Sequence, residues 1–411
     1  MKRSYLPLVV IIALYFGFST AAVAQEKVDS AAVAQIKDEG MNRSQVMEIL
    51  SYLTDVYGPR LTWSPEYKQA ADWAASKMKD IGLQSVHFEN WGPLGKGWSL
   101  KRFQATVTSP RVIPLIAYPK AWTPGFKGTM KADVVYLEVK DTADFQKYKG
   151  QLKGKVVLIS NPRELNAHFQ PEGVRLADSS LLKLANADIP AAAPRRRWPQ
   201  ISPAMGDSAL RAIARQFMPN MDSAAVARMI AEQRIGPRRL QFCQDEGAAL
   251  VLDVGRGDGG TLFVQSATVP QPPQTPFDQR VGPYSEKAPK IIPQVTVASE
   301  HYNRMIRMLQ KGQKLSMEVD LQAEFTPADS GMNIVGEIPG TDLKDEIVMV
   351  GAHFDSWHGG TGATDNGTGS SVCLEALRII QKLGLKPRRT IRVGLWGGEE
   401  EGLLGSRGYV S

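Results

Sequence analysis

Val46, Ile49, Leu50, Leu53 and Val56 recur at helical spacing and place one apolar stripe on a helix over residues 41–58, which Gly58-Pro59 ends. Ser64-Pro65 supplies a cap and a first-turn proline for a second helix. Its inner face is Ala70, Trp73, Ala74, Met78 and Ile81, and Gly82 stops it. Short strand-like runs follow at 84–89 and 103–107. The chain thus opens as helix followed by strand.

The middle reads differently. Short runs rich in Val, Ile and Leu at 132–139, 154–160, 247–254, 260–265 and 292–298 predict strands. Long Pro-rich stretches such as 186–204 and 266–289 separate them, and a compact α/β core does not ordinarily carry such loops. Residues 111–325 are therefore expected to form a separate β-rich insertion. From 332 the α/β rhythm returns. Ile347–Ala352 is a continuous apolar run of the kind buried on both faces of a sheet. A Gly-rich loop leads into a helix over about 367–383, expected to turn Val372, Leu374, Leu377, Ile380 and Leu383 inward and to stop at Gly384. Thr390–Trp396 is the next strand. This order implies parallel neighbours, with any site at the carboxyl ends of the strands.

The composition is that of a globular protein: 411 residues, 43% hydrophobic and 22% charged. The start adds an address. Lys2 and Arg3, the apolar stretch Leu6–Phe18 and Ala22-Val23-Ala24 read as a secretory signal over residues 1–24, with the mature chain beginning near Gln25. That places the protein outside the cell or in the periplasm, without stable membrane insertion after cleavage. The net charge of +7 becomes +5 without Lys2 and Arg3 (7 − 2) and is spread along the chain. The clusters Arg195-Arg196-Arg197 and Arg238-Arg239 lack interleaved aromatics, so no nucleic-acid partner is expected. Cys243 and Cys373 are expected to be free, with Cys373 on a buried helix face.

Two polar clusters carry the candidate chemistry. In Gly351-Ala352-His353-Phe354-Asp355, His353 and Asp355 stand two apart at a strand end and share a side. An imidazole suits a borderline metal, and a neighbouring carboxylate fixes its tautomer. Asp365 follows in a Gly-rich loop, able to reach back to the same ion. The second cluster, Gly397-Gly398-Glu399-Glu400-Glu401-Gly402, follows the next strand. Adjacent carboxylates repel unless a cation neutralises them or one takes a proton. A metal relieves one, leaving another as general base.

His353-Phe354-Asp355-Ser356-Trp357, Asp365-Asn366-Gly367 and Glu399-Glu400-Glu401-Gly402-Leu403-Leu404-Gly405-Ser406 together resemble the co-catalytic zinc exopeptidases. The Ser-Trp after Asp355 leans towards the plasma glutamate carboxypeptidase branch of that family. The resemblance implies an α/β fold with a three-layer α/β/α sheet and an inserted β-rich protease-associated domain, to which Gly247–Val254 is similar. It divides the chain into 25–110 and 326–411 for the peptidase domain, incomplete at its end, and 111–325 for the insertion. It implies two zinc ions, with His353, Asp365 and Glu400 as ligands, Asp365 bridging, Glu399 as general base and Asp355 orienting His353. A peptide is the implied substrate, and a homodimer is compatible with the reading.

The family's site also takes an Asp and a His downstream of the Glu pair, and this sequence ends eleven residues after Glu400 (411 − 400). The second ion's ligand set is therefore expected to be incomplete here and activity impaired. His87, His168 and His301 lie outside the motif region, and His358 is expected to face solvent in its loop. Two rivals stand beside the exopeptidase reading. One is a non-catalytic binding module on the same fold, against which Glu399 speaks. The other is a related zinc amidohydrolase or glutaminyl cyclase.

Overall fold

The computed structural model describes residues 28–411 apart from 93–94, 172, 188–204, 219–220, 273–274, 276–278 and 328–329. The signal expected over 1–24 and most of the irregular stretch 186–204 lie outside the described residues. Among the described residues no helix is long and apolar enough to cross a membrane.

Helices α1 (Ser30–Asn42), α2 (Val46–Ser51) and α3 (Pro65–Ile81) open the chain, with a π-helical turn over Tyr52–Val56. Helix α1 was not foreseen, because only Glu39 on it is buried and no apolar stripe marks it. It is held by charge instead: Arg378, 6% exposed, donates to Glu39 at 2.9 Å and to Glu375 at 2.7 and 2.9 Å. Helix α3 forms as its ends dictate. The Ser64 hydroxyl accepts from the Tyr67 amide at 3.0 Å, and Gly82 closes it in the left-handed region at φ 94°.

Among the described residues a four-stranded sheet follows the order β1 (Gln84–Trp91), β10 (Gly331–Ile338), β12 (Arg389–Trp396), β11 (Leu343–His353). The pair β11–β12 is parallel, as the strand–helix–strand order required, and the other two pairs are antiparallel. Alternation along the strands gives the sheet two inner faces. Ile334, Ile338, Val393 and Leu395 pack beneath α2, α3 and α8 (Thr368–Lys382), together with Ile49, Leu53, Met78, Leu374 and Leu377. Asn333 and Trp396, on the opposite side, meet the helix Leu404–Val410.

Among the described residues the second sheet has eight strands. The long antiparallel pair β2 (Lys96–Ser109) and β9 (Ser316–Pro327) joins β5 (Met130–Tyr136). Three parallel pairings then carry it through β6 (Val156–Leu158), β7 (Leu250–Val254) and β8 (Gln294–Val297). The short strands β3 (Ile113–Pro114) and β4 (Ala117–Pro119) form its edges. Between the two sheets sits an aromatic cluster of Trp63, Trp91, Trp98 and Trp122, with Tyr284 and Trp357 against it.

Several expectations are corrected. Residues 260–265 form no strand, and the middle of the chain also carries helices at Asp178–Ala185, Asp207–Phe217 and Ser223–Asp245. Strand β11 is not buried on both faces. Among the described residues it pairs with β12 alone, with Ile347 47%, Val348 49% and Met349 36% exposed. Val372 on α8 points outward, 59% exposed. In each case apolar composition reports a preference for burial, while the neighbour that would satisfy it is a tertiary matter. Cys243 and Cys373 are both free thiols, the first buried and the second half-buried.

Candidate active site

The carboxyl ends of β11 and β12 lie side by side because the two strands are parallel and in register, His353 opposite Trp396. The Phe354 amide continues the ladder by donating to the Trp396 carbonyl at 2.6 Å, and the Ser370 hydroxyl donates to the His353 carbonyl at 3.0 Å. The chain beyond each strand therefore emerges on the same edge, and both sequence clusters meet there.

His353 is mostly buried. Its Nε2 is 2.9 Å from Asp365 Oδ1 and 3.9 Å from Glu399 Oε2. Its Nδ1 is 3.1 Å from the Asp355 carbonyl oxygen and 3.7 Å from Asp355 Oδ1. Asp355 is fully buried, and its two carboxylate oxygens accept the amides of Glu399 and Glu400, each at 3.1 Å. It thus ties the Glu loop to the end of β11 as well as standing beside the imidazole. Asp365 sits in the loop Ala363–Gly367, closed by the Gly367 amide donating to the Gly362 carbonyl at 2.8 Å. The Asp365–Asn366 peptide is cis.

The titration of these groups reflects their crowding. Burial disfavours the charged His353 ring, yet Asp355, Glu399 and Asp365 outweigh it and lift the ring to about 9. Burial, with Asp365 and Asp355 close by, pushes Glu400 up to about 7. Burial also drives Glu401 well above the usual carboxyl range. Acid repels acid here, and the His353 imidazole stands directly among the carboxylates. That is the imbalance a divalent cation relieves.

Among the described residues no three His, Cys, Asp or Glu groups stand ready-made as a metal cage. The donors nonetheless fit such an ion in kind. One imidazole and two carboxylates are ligands that zinc takes, and His353 and Asp365 already converge on one point. His353, Asp365 and Glu400 are the residues that would hold it.

His358 is neither a neighbour of this cluster nor solvent-facing, which corrects the sequence expectation. It is 6% exposed, donates from Nε2 to the Pro119 carbonyl at 2.7 Å and packs edge-on against Trp98. Burial pulls its pKa from 6.5 down to about 4, so the folded chain refuses a proton that the unfolded chain takes up. Stability is complete above about pH 6.5 and declines as pH falls towards 4. Between pH 7 and 5, urea unfolding is expected to show the parent losing about 2 kcal/mol more than His358→Gln.

Two contributors escaped the sequence reading. Asn333, 1% exposed on β10, accepts the Gly397 amide at 3.1 Å and donates to the Gly405 carbonyl at 3.0 Å, closing the Glu loop from below. A Cβ on Gly405 would lie 2.2 Å from Asn333 Oδ1 and 2.3 Å from the Gly397 carbonyl. Gly405→Ala is expected to lower thermal stability by about 1–3 kcal/mol, read from the unfolding midpoint. The second is Arg60, whose only sequence signal is a charge set in the turn Gly58-Pro59-Arg60-Leu61. It is fully buried against the ring of Phe354.

Residues 333–411 match the family model described as Peptidase family M28. Carboxypeptidase Q of Mus musculus is 38% identical over 126 residues, which cover 31% of this chain and 27% of that protein. Leupeptin-inactivating enzyme 1 of Streptomyces exfoliatus is 40% identical over 91 residues, 22% of this chain and 20% of that one. This chain therefore spans about a quarter of the length of the curated relatives it matches. A crystal structure of a peptidase M28 precursor from Shewanella amazonensis superposes with a TM-score of 0.55 at 22% identity, covering 92% of this chain and 69% of that chain. This likeness bears out the expected mixed α/β fold.

Proposed function

We propose that this chain, whose residues 333–411 match the model of peptidase family M28, is a zinc-dependent exopeptidase that hydrolyses peptide bonds of small peptides. The observation that carries the reading is the meeting of His353 Nε2 with Asp365 Oδ1 at 2.9 Å, with Glu399 Oε2 3.9 Å from the same nitrogen, where two parallel strands end. A binding module has no use for a spare carboxylate beside a ligand set, whereas hydrolysis does.

In this reading His353, Asp365 and Glu400 would hold the metal. Zinc, when bound, polarises a carbonyl and acidifies water. Glu399 accepts the proton of the water that adds to the scissile carbonyl carbon and passes it to the leaving amine nitrogen. Asp355 keeps Glu399 and Glu400 on station through their amides and orients the His353 ring. Residues 25–110 and 326–411 form the peptidase domain and 111–325 the protease-associated insertion. The N-terminal basic and apolar run followed by Ala22-Val23-Ala24 directs export.

Zinc titration by calorimetry, combined with a panel of dipeptides and N-terminally blocked peptides, tests this. Stoichiometric zinc binding and hydrolysis that a chelator removes and added zinc restores are expected. Chelator-insensitive hydrolysis would overturn the reading, as would cyclisation of Gln-initiated peptides without hydrolysis.

A further inference from the structure

Arg60 has no exposed surface, yet among the described residues no carboxylate lies in hydrogen-bond contact with its guanidinium. Its partners are five backbone carbonyls. Nε donates to Phe354 at 2.7 Å, and Nη1 to Leu53 at 2.9 Å and to Gly58 and Thr361 at 3.0 Å. Nη2 donates to Gly362 at 3.0 Å. Its backbone is tied down too: the Arg60 amide donates to the Ser356 hydroxyl, and the Ser356 amide donates to the Arg60 carbonyl, both at 3.0 Å. Burial lowers its pKa only to about 10, so it stays charged at neutral pH.

These partners have a pattern. Phe354 lies between His353 and Asp355. Thr361 and Gly362 start the loop that carries Asp365, and the Gly362 carbonyl that Arg60 holds also accepts the Gly367 amide closing that loop. One planar cation therefore grips the end of β11 and the base of the Asp365 loop together. Gly362 is shaped to that grip: its φ is +63°, and a Cβ would lie 2.3 Å from Ser356 Cβ and 2.9 Å from Arg60 Nη2. A lysine has three donors and no fixed fork, and cannot span five carbonyls.

We propose that Arg60 is a positioning residue that sets Asp365 against His353, clamping the strand end and the loop base through their carbonyls. The inference rests on the metal-binding reading of His353, Asp365 and Glu400 for its consequence, and on the Arg60 bonds alone for the placement.

The test compares the full chain with Arg60→Lys and Gly362→Ala, the second leaving the buried cation in place while crowding the loop off it. Hydrogen exchange is measured on the metal-free proteins and zinc affinity by calorimetry. In both variants residues 361–369 are expected to exchange about tenfold faster or more, while 331–338 and 389–396 hold within about twofold. Zinc affinity is expected to fall roughly 10–100-fold. Equal loosening of loop and sheet in Gly362→Ala, or an unchanged loop in both variants, would overturn the proposal, as would loop loosening with zinc affinity intact. A parent that binds no zinc removes the functional reading, and the exchange pattern still decides whether Arg60 places the loop.

Discussion

Phe354→Ala is expected to cost about 3–5 kcal/mol of stability and to disable the site in protein that remains folded. The ring is fully buried, meets Tyr67 edge-on with centroids 5.7 Å apart, and carries the Arg60 guanidinium 5.6 Å from its centroid. Truncation opens a cavity beneath α3 and removes the surface against which Arg60 lies. The same residue joins His353 to Asp355, so relaxation into the cavity shifts both. A displacement of about 1 Å in a catalytic constellation is enough to cost on the order of 10²-fold in rate. Urea unfolding gives the first number and peptide hydrolysis under native conditions the second. Leu374→Ala is the control, because Leu374 is also fully buried in this core but does not join His353 to Asp355. Equal activity losses in the two variants would show that only global stability is at stake.

Glu399→Gln is expected to lower hydrolysis by about 10²–10⁴-fold while leaving the fold and zinc binding in place. The substitution keeps the shape and removes the basic oxygen. The Glu399 amide that Asp355 accepts is backbone and survives the change, so the loop keeps its anchor. Asp365→Asn should behave differently, weakening zinc binding itself, since Asp365 is the carboxylate in contact with His353. Calorimetry with zinc beside a peptide assay separates the two cases. A Glu399→Gln protein with undiminished hydrolysis would remove Glu399 from the proton-transfer role.

The legible parts of this chain were those whose cause is local. Ser64, Pro65 and Gly82 bound α3 because a cap oxygen, a fixed φ and a left-handed residue act within one turn. The helix after Asp365 and the strand ending at Trp396 followed from periodicity in the same way. The clustering of His353, Asp365, Glu399 and Glu400 was foreseeable because parallel strands must end on one side, whatever surrounds them.

What the sequence by itself determined, then, is the order of these elements and the kinds of side chain delivered to the strand ends. Tertiary structure alone decided the rest, because it depends on which groups become neighbours. Among the described residues the apolar run of β11 pairs on one side only, and its composition gave no hint of that. The loop residue His358 gave none that it would be sealed against Trp98 and the Pro119 carbonyl. Arg60 stands 302 positions from Gly362, whose carbonyl it holds, and no local pattern can express a hydrogen bond across that separation. Asn333 closes the Glu loop for the same reason, through partners 64 and 72 residues away.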